Sequence, residues 1–301
     1  MSKTVDYRQK LRGVLPPIVT PFDETGRFVR EGIAEVVEFT IRAGAHGMVV
    51  GGSTGEGHTL TTRELTEAVG AACEAAKGRV PVLAGLIVNS TEMAIERARQ
   101  FQGMGVAALQ VTPVHYLFKP DADATVAHFK AIAEETGLPV IIYNVIPWNY
   151  LSADLMLRIM DEVPGVIGMK QSNGDLKSLS DLLLRIKPRN IVVSGIDALL
   201  YPAFSLGAHG AITALTAAVP GVIVRLWDLV KAGEHERAKA IHFKLNALWN
   251  TIRHDNLPAC TKYLQHRQGV TLYHPRPPME KVTEAQKQAM DGPLADLLAS
   301  V

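Results

Sequence analysis

Eight short apolar runs recur between residues 13 and 213, and each is followed by a stretch with helical periodicity. The runs cover residues 13–20, 47–50, 80–84, 107–111, 140–143, 166–170, 191–194 and 210–213. Between them, Ile33, Val36, Val37 and Ile41 share one helical face, as do Leu176, Leu179, Leu183 and Ile186. Thr61 and Glu64 read as a capping box ahead of Leu65. Strands that are apolar at nearly every position are buried on both faces, which is the condition of parallel strands with helices packed outside them. The expected fold class is therefore α/β, a (β/α)8 TIM barrel. An open doubly wound sheet competes, but it usually carries a Gly-rich phosphate turn after its first strand, where this chain has Val19-Thr20-Pro21-Phe22.

Strand signals stop at Pro220, and helical patterns cover residues 222–231, 235–252, 258–266 and 283–298. Residues 1–219 are thus expected to form the barrel that carries the site. Residues 220–301 are expected to supply the last barrel helix and a C-terminal helical extension, with Pro275, Pro277 and Pro278 interrupting the pattern before the final helix. A total of 301 residues suits one barrel of about 250 residues with an extension.

Charge narrows the partners. Lys and Arg number 31 against 30 Asp and Glu, so no basic surface is implied for nucleic acid or an anionic membrane, and a small molecule is the expected partner. The two cysteines, Cys73 and Cys260, have no disulfide-framework or metal-type spacing, which points to reduced thiols and a cytoplasmic location. No export signal or span of about 18 apolar residues is read.

Barrel enzymes place reactive groups at the C-terminal ends of their strands. Lys170 ends the run Val166-Ile167-Gly168-Met169, where apolar surroundings would favour a free amine able to attack a ketone and form an imine. The plainer alternative is a lysine that snorkels to solvent. Tyr143 closes the preceding strand, and its phenol is placed to relay protons beside such an amine, or simply to pack. The loop Gly51-Gly52-Ser53-Thr54-Gly55-Glu56-Gly57 offers backbone N–H groups and two hydroxyls to an anion such as a carboxylate; it lacks the lysine of a P-loop. Its alternative reading is a tight turn that needs positive φ.

These residues together resemble the dihydrodipicolinate synthase and N-acetylneuraminate lyase family from about Leu11 onward. The likeness is carried in order by Pro17-Ile18-Val19-Thr20-Pro21-Phe22, Gly51 to Glu56, Thr112-Pro113, Tyr143-Asn144-Val145 and Gly168-Met169-Lys170. The resemblance implies a class I aldolase or lyase acting on pyruvate or another 2-keto acid, by aldol addition, aldol cleavage or dehydration of a 2-keto-3-deoxy acid, among which the sequence does not choose. In it, Lys170 forms the imine, Tyr143 shuttles protons, Thr54 joins them as a catalytic group, and Ser53 with Thr54 holds the carboxylate. It also implies that Gly195 and Ile212 line the site, that no metal or organic cofactor is used beyond the lysine imine, and that subunits assemble as a homotetramer, a dimer of dimers.

Two positions depart from the synthase pattern. Where that activity uses an arginine for the carboxylate of aspartate semialdehyde, this chain reads Ile146-Pro147-Trp148-Asn149, with Trp148 at the equivalent place. Where a tyrosine pair follows Thr112-Pro113, this chain has Val114-His115-Tyr116. His115 and Trp148 are therefore expected to contact a second substrate, an aldehyde, that differs from aspartate semialdehyde. His58 and Asp197 are further candidates, each with a structural alternative near a helix start.

Three other readings compete, beside a phosphate-binding barrel isomerase, which would want a Gly-rich loop after the seventh or eighth strand where this chain has Gly207-Ala208-His209-Gly210 before the eighth. One is 4-hydroxy-tetrahydrodipicolinate synthase itself, joining pyruvate to aspartate semialdehyde. A metal-dependent aldolase would need converging ligands, and the ten histidines include no pair at i, i+2 or i, i+4. A non-catalytic barrel that only binds a keto acid is the third.

Overall fold

The computed structural model describes residues 6–300. Its strands are β1 (Gly13–Val14), β2 (Met48–Val50), β3 (Val82–Leu86), β4 (Ala108–Val111), β5 (Val140–Asn144), β6 (Val166–Gln171), β7 (Ile191–Ser194) and β8 (Gly210–Ala211). All pair in parallel, from β2 through β8 in sequence order and then β8 with β1. The seam between β1 and β2 closes through a parallel bridge at Pro17 and Val49. There the Ile18 N–H donates to Val49 O at 2.9 Å and the Val49 N–H donates to Pro16 O at 2.8 Å. The chain is the expected (β/α)8 barrel.

The first and last strands are each at least two residues shorter than the sequence suggests. Residues 15–20 do not continue β1 as a ladder, because Pro16 and Pro17 have no N–H to donate. At β8, Thr213 leaves the strand to cap the helix Ala214–Ala218, its side chain accepting from the Thr216 N–H. The capping box at Thr61 is present as read: Glu64 N–H donates to Thr61 Oγ1, and Glu64 Oε2 accepts from Thr61 N–H.

Side chains alternate between two apolar layers, as the two-residue period of a strand requires. Leu15, Val49, Leu83, Ile141, Ile191, Val193 and Ile212 fill the barrel interior. Met48, Val50, Leu109, Val111, Ile142, Met169 and Val192 pack outward beneath the helices. This alternation decides which residues face the site.

Beyond β8, helices Pro220–Lys231, His235–Ile252, Leu257–His266 and Glu284–Leu298 form the C-terminal appendage. They do not stand apart from the barrel: Val14 and Ala211 of the strands share one core with Leu226, Trp227, Leu245, Leu264 and Leu294. Cys73 and Cys260 are unpaired, and burial pushes both thiols up to about 11. No described helix is long and apolar enough to cross a membrane.

Candidate active site

Lys170 and Tyr143 are paired across β5 and β6, so their side chains leave neighbouring strands at the same level. Both are buried, with 5% and 2% exposure, and Lys170 Nζ lies 4.1 Å from the centroid of the Tyr143 ring. The snorkelling alternative therefore fails. The ring supplies a cation–π contact while its hydroxyl points onward, 2.9 Å from Ser53 Oγ. Amine, phenol and serine hydroxyl form a continuous line from β6 through β5 to the loop after β2.

Gly195 makes room for this line. A Cβ there would come within 2.9 Å of Lys170 Cε and would overlap Ser172 Oγ, so only glycine lets the lysine stem stand where it does. Ser172 Oγ is itself buried without a hydrogen-bond partner beside the lysine stem. Nothing in the sequence singles Ser172 out except its place two residues past Lys170.

The glycine loop is shaped by close backbone approach. Gly51 has φ +76°, and a side chain at Gly57 would run into Gly51 O. Within the loop the Glu56 N–H donates to Ser53 O at 2.9 Å and the Gly57 N–H donates to Gly52 O at 3.0 Å. No acceptor among the described residues takes the N–H of Ser53 or Thr54. These two unclaimed donors sit in a glycine-rich turn, where Thr54 is buried. From outside, Thr20 Oγ1 donates to Gly55 O at 2.6 Å, and the buried Glu56 carboxylate accepts from Lys262 Nζ at 2.6 Å.

His115 and Trp148 meet each other. The Trp148 indole N–H donates to His115 O at 2.7 Å, and Asn149 Nδ2 donates to Val114 O at 2.6 Å, so the loops after β4 and β5 are clasped together. Trp148 remains 64% exposed, and its indole rims the mouth. Asn144 is structural: its amide accepts from Leu151 N–H and donates to Leu151 O and Gln171 Oε1, fixing the loop that carries Trp148. Tyr150, which no sequence motif marks, donates to Ser172 O at 3.1 Å and joins the same loop to the end of β6.

Ile212 belongs to the barrel interior with Val193. Asp197 is buried and accepts from Leu215 N–H at 2.6 Å, so it caps the helix Ala214–Ala218. Burial raises its carboxyl pKa, partly opposed by that bond and by the Lys170 charge. His58 lies exposed in a single turn, Gly57–Thr59. Among the described residues, no cluster of three or more His, Cys, Asp or Glu is placed to hold a metal ion.

A buried amine beside a phenol and a glycine-rich loop with unclaimed N–H groups, at the C-terminal mouth of a (β/α)8 barrel, fits an enzyme of the aldolase and lyase class. Comparison with known proteins sharpens this. The model of the Dihydrodipicolinate synthetase family matches residues 10–296. A 4-hydroxy-tetrahydrodipicolinate synthase of Maridesulfovibrio salexigens is 33% identical over 286 residues, covering 94% of this chain and 97% of its own. The dihydrodipicolinate synthase structure from Aquifex aeolicus superposes with a TM-score of 0.88 at 27% identity, over 97% of this chain and 99% of that one. The sialic acid aldolase of Ruminococcus gnavus shares the fold, with a TM-score of 0.90 at 24% identity over 97% of this chain and 98% of that one. The chain belongs to the dihydrodipicolinate synthetase family, and it is a lyase.

Proposed function

We propose that this lyase works through a Schiff base between Lys170 and the keto carbon of pyruvate or a related 2-keto acid. The observation that carries the reading is the buried Lys170 amine over the Tyr143 ring, with the Tyr143 hydroxyl 2.9 Å from Ser53 Oγ. Lys170 Nζ attacks C2 and gives a carbinolamine. Tyr143 supplies the proton that lets the C2 hydroxyl leave as water, and the protonated imine draws electrons from C3. Loss of a C3 proton then yields an enamine nucleophile that adds to an aldehyde; the reverse path cleaves the same bond. The Ser53 and Thr54 N–H groups hold the carboxylate through both directions. This route calls for no metal or organic cofactor.

The aldehyde partner is a separate question. Trp148, at the position where the synthase pattern has an arginine, gives the rim an aromatic surface and no cation for a second carboxylate. We infer an aldehyde less acidic than aspartate semialdehyde. The competing reading, 4-hydroxy-tetrahydrodipicolinate synthase, draws support from the relatives that bear that name at about one-third identity. Tyr116, Leu117 and Phe118 extend from the clasped loops at 71%, 71% and 82% exposure, an apolar surface that supports a homotetramer built through this edge.

Incubation with pyruvate and sodium borohydride, followed by intact-mass measurement and peptide mapping, tests the central claim. A reduced adduct on Lys170, absent from Lys170→Ala, is the expected result. A folded protein that takes no adduct from any 2-keto acid sinks it and leaves the non-catalytic barrel. Turnover of pyruvate with aspartate semialdehyde at synthase rates would reject the inference about Trp148.

A further inference from the structure

Gln110 lies inside the barrel and has no part in the imine chemistry. On β4, Leu109 and Val111 point outward into the helix-facing core, so Gln110 between them points inward. It is registered with Gly85 on β3 and Ile141 on β5, and Ile141 is registered with Gly168 on β6. Tyr143 and Lys170 stand two residues further along those last two strands, one inward layer above.

The Gln110 side chain is fully buried, and neither its amide nitrogen nor its amide oxygen has a hydrogen-bond partner in the protein. An amide buried in an apolar layer with no protein partner is unfavourable, and a methionine would fill much the same volume without that cost. Gly85, its registered partner on β3, carries no side chain, and a Cβ there would meet the Gly51 and Gly52 backbone of the glycine loop. Its Nε2 reaches to 3.9 Å from where a Cβ would stand on Gly52, immediately before Ser53. The unclaimed N–H groups of Ser53 and Thr54 lie on that same stretch. Because neither amide atom is held by a neighbour, the NH2 group is free to turn toward an anion.

We propose that Gln110 is a third donor to the carboxylate of the bound keto acid, reaching it from beneath while Ser53 and Thr54 hold it from the loop. This rests on the keto-acid reading and adds a residue to it. A hydrogen bond to a charged oxygen inside a closed site contributes roughly 10- to 100-fold in affinity.

The test measures the initial rate of borohydride trapping against concentration for pyruvate and for acetone, which has the ketone and no carboxylate. With Gln110→Met, the half-saturating pyruvate concentration should rise at least about tenfold, the acetone response should stay within about twofold, and the unfolding midpoint should hold or increase. Gln110→Asn withdraws the amide by one methylene and should show the same selective loss if the methionine variant does not fold. An unchanged pyruvate half-saturation, or an equal loss for both ketones, overturns the proposal and marks Gln110 as structural. If the unaltered protein takes no adduct from pyruvate, it is the underlying keto-acid reading that falls.

Discussion

Lys262 Nζ lies 2.6 Å from Glu56 Oε1, with the two side chains only 1% and 2% exposed, so an ion pair buried from water joins the C-terminal appendage to the glycine loop. The pair is well satisfied. Lys262 also donates to His274 O at 2.7 Å, and the second Glu56 oxygen accepts from Arg276 N–H at 2.8 Å. Burial nevertheless lowers the lysine pKa to about 8 against the pull of the carboxylate. Glu56 sits at φ 53°, a left-handed conformation that non-glycine residues adopt only when held.

Removal of one partner leaves the other charge stranded. We predict that Lys262→Met costs about 3–5 kcal/mol of stability, whereas Glu56→Gln, which retains an acceptor for Arg276 N–H, costs less. The double variant should recover much of the loss, since no unpaired charge remains. Urea unfolding of the three proteins measures this; equal midpoints for Lys262→Met and the unaltered chain would show the pair to be energetically idle.

Tyr143→Phe separates the two contacts of that ring. The ring stays over Lys170 Nζ, but the hydroxyl facing Ser53 Oγ is lost. If the phenol moves protons, turnover should fall by about 10²- to 10⁴-fold with little change in unfolding midpoint. Single-turnover trapping should slow in parallel, because carbinolamine collapse precedes the reducible imine. A variant that retains full turnover would remove Tyr143 from proton transfer.

Much of this molecule is legible in its sequence, for physical reasons that also mark where legibility ends. Strands buried on both faces leave uninterrupted apolar runs, so all eight can be found; their ends blur because apolar character does not reveal that Pro16 and Pro17 lack ladder donors. Lys170 and Tyr143 stand out because each closes an apolar run, one residue before the strand itself ends, and Ser53 because it follows such a run. Lys262 does not, being 206 residues from Glu56 and carried on a helix whose role depends on tertiary packing. Gln110 leaves a faint mark, one polar residue in the run 107–111, which period-two reasoning can aim inward. Trp148 and His115 are legible as residues of the mouth, but the hydrogen bond that clasps them needs the loop geometry.

Gly195→Ala tests the space around Lys170. The added methyl would meet Lys170 Cε and Ser172 Oγ together, and the Gly195 N–H is already committed to Gln171 O at 2.8 Å, so the backbone resists moving aside. A destabilisation of about 1–3 kcal/mol is expected, with a larger relative loss in imine trapping than in secondary structure. Circular dichroism beside borohydride trapping separates the two effects; unchanged trapping would mean that the lysine stem has slack.

Acid acts on this fold through a buried histidine. His128 is buried, with Nδ1 2.9 Å from Thr91 Oγ1 and Nε2 without a partner, and burial lowers its pKa from the usual 6.5 to about 4. Between those values the unfolded chain binds a proton that the folded chain refuses. His128 therefore contributes full stability above pH 6.5, and this is lost progressively as pH falls from about 6.5 toward 4. Refusing that proton costs about 1.4 kcal/mol for every pH unit below the unfolded-chain value, so the loss across the window approaches about 3 kcal/mol. His128→Asn removes the titrating group and keeps a side chain able to bond Thr91. Its unfolding free energy should start lower at neutral pH but decline less steeply between pH 6.5 and 4. Parallel curves for the two proteins across that window would show that His128 takes up its proton without opening the fold, and would place the acid sensitivity on other groups.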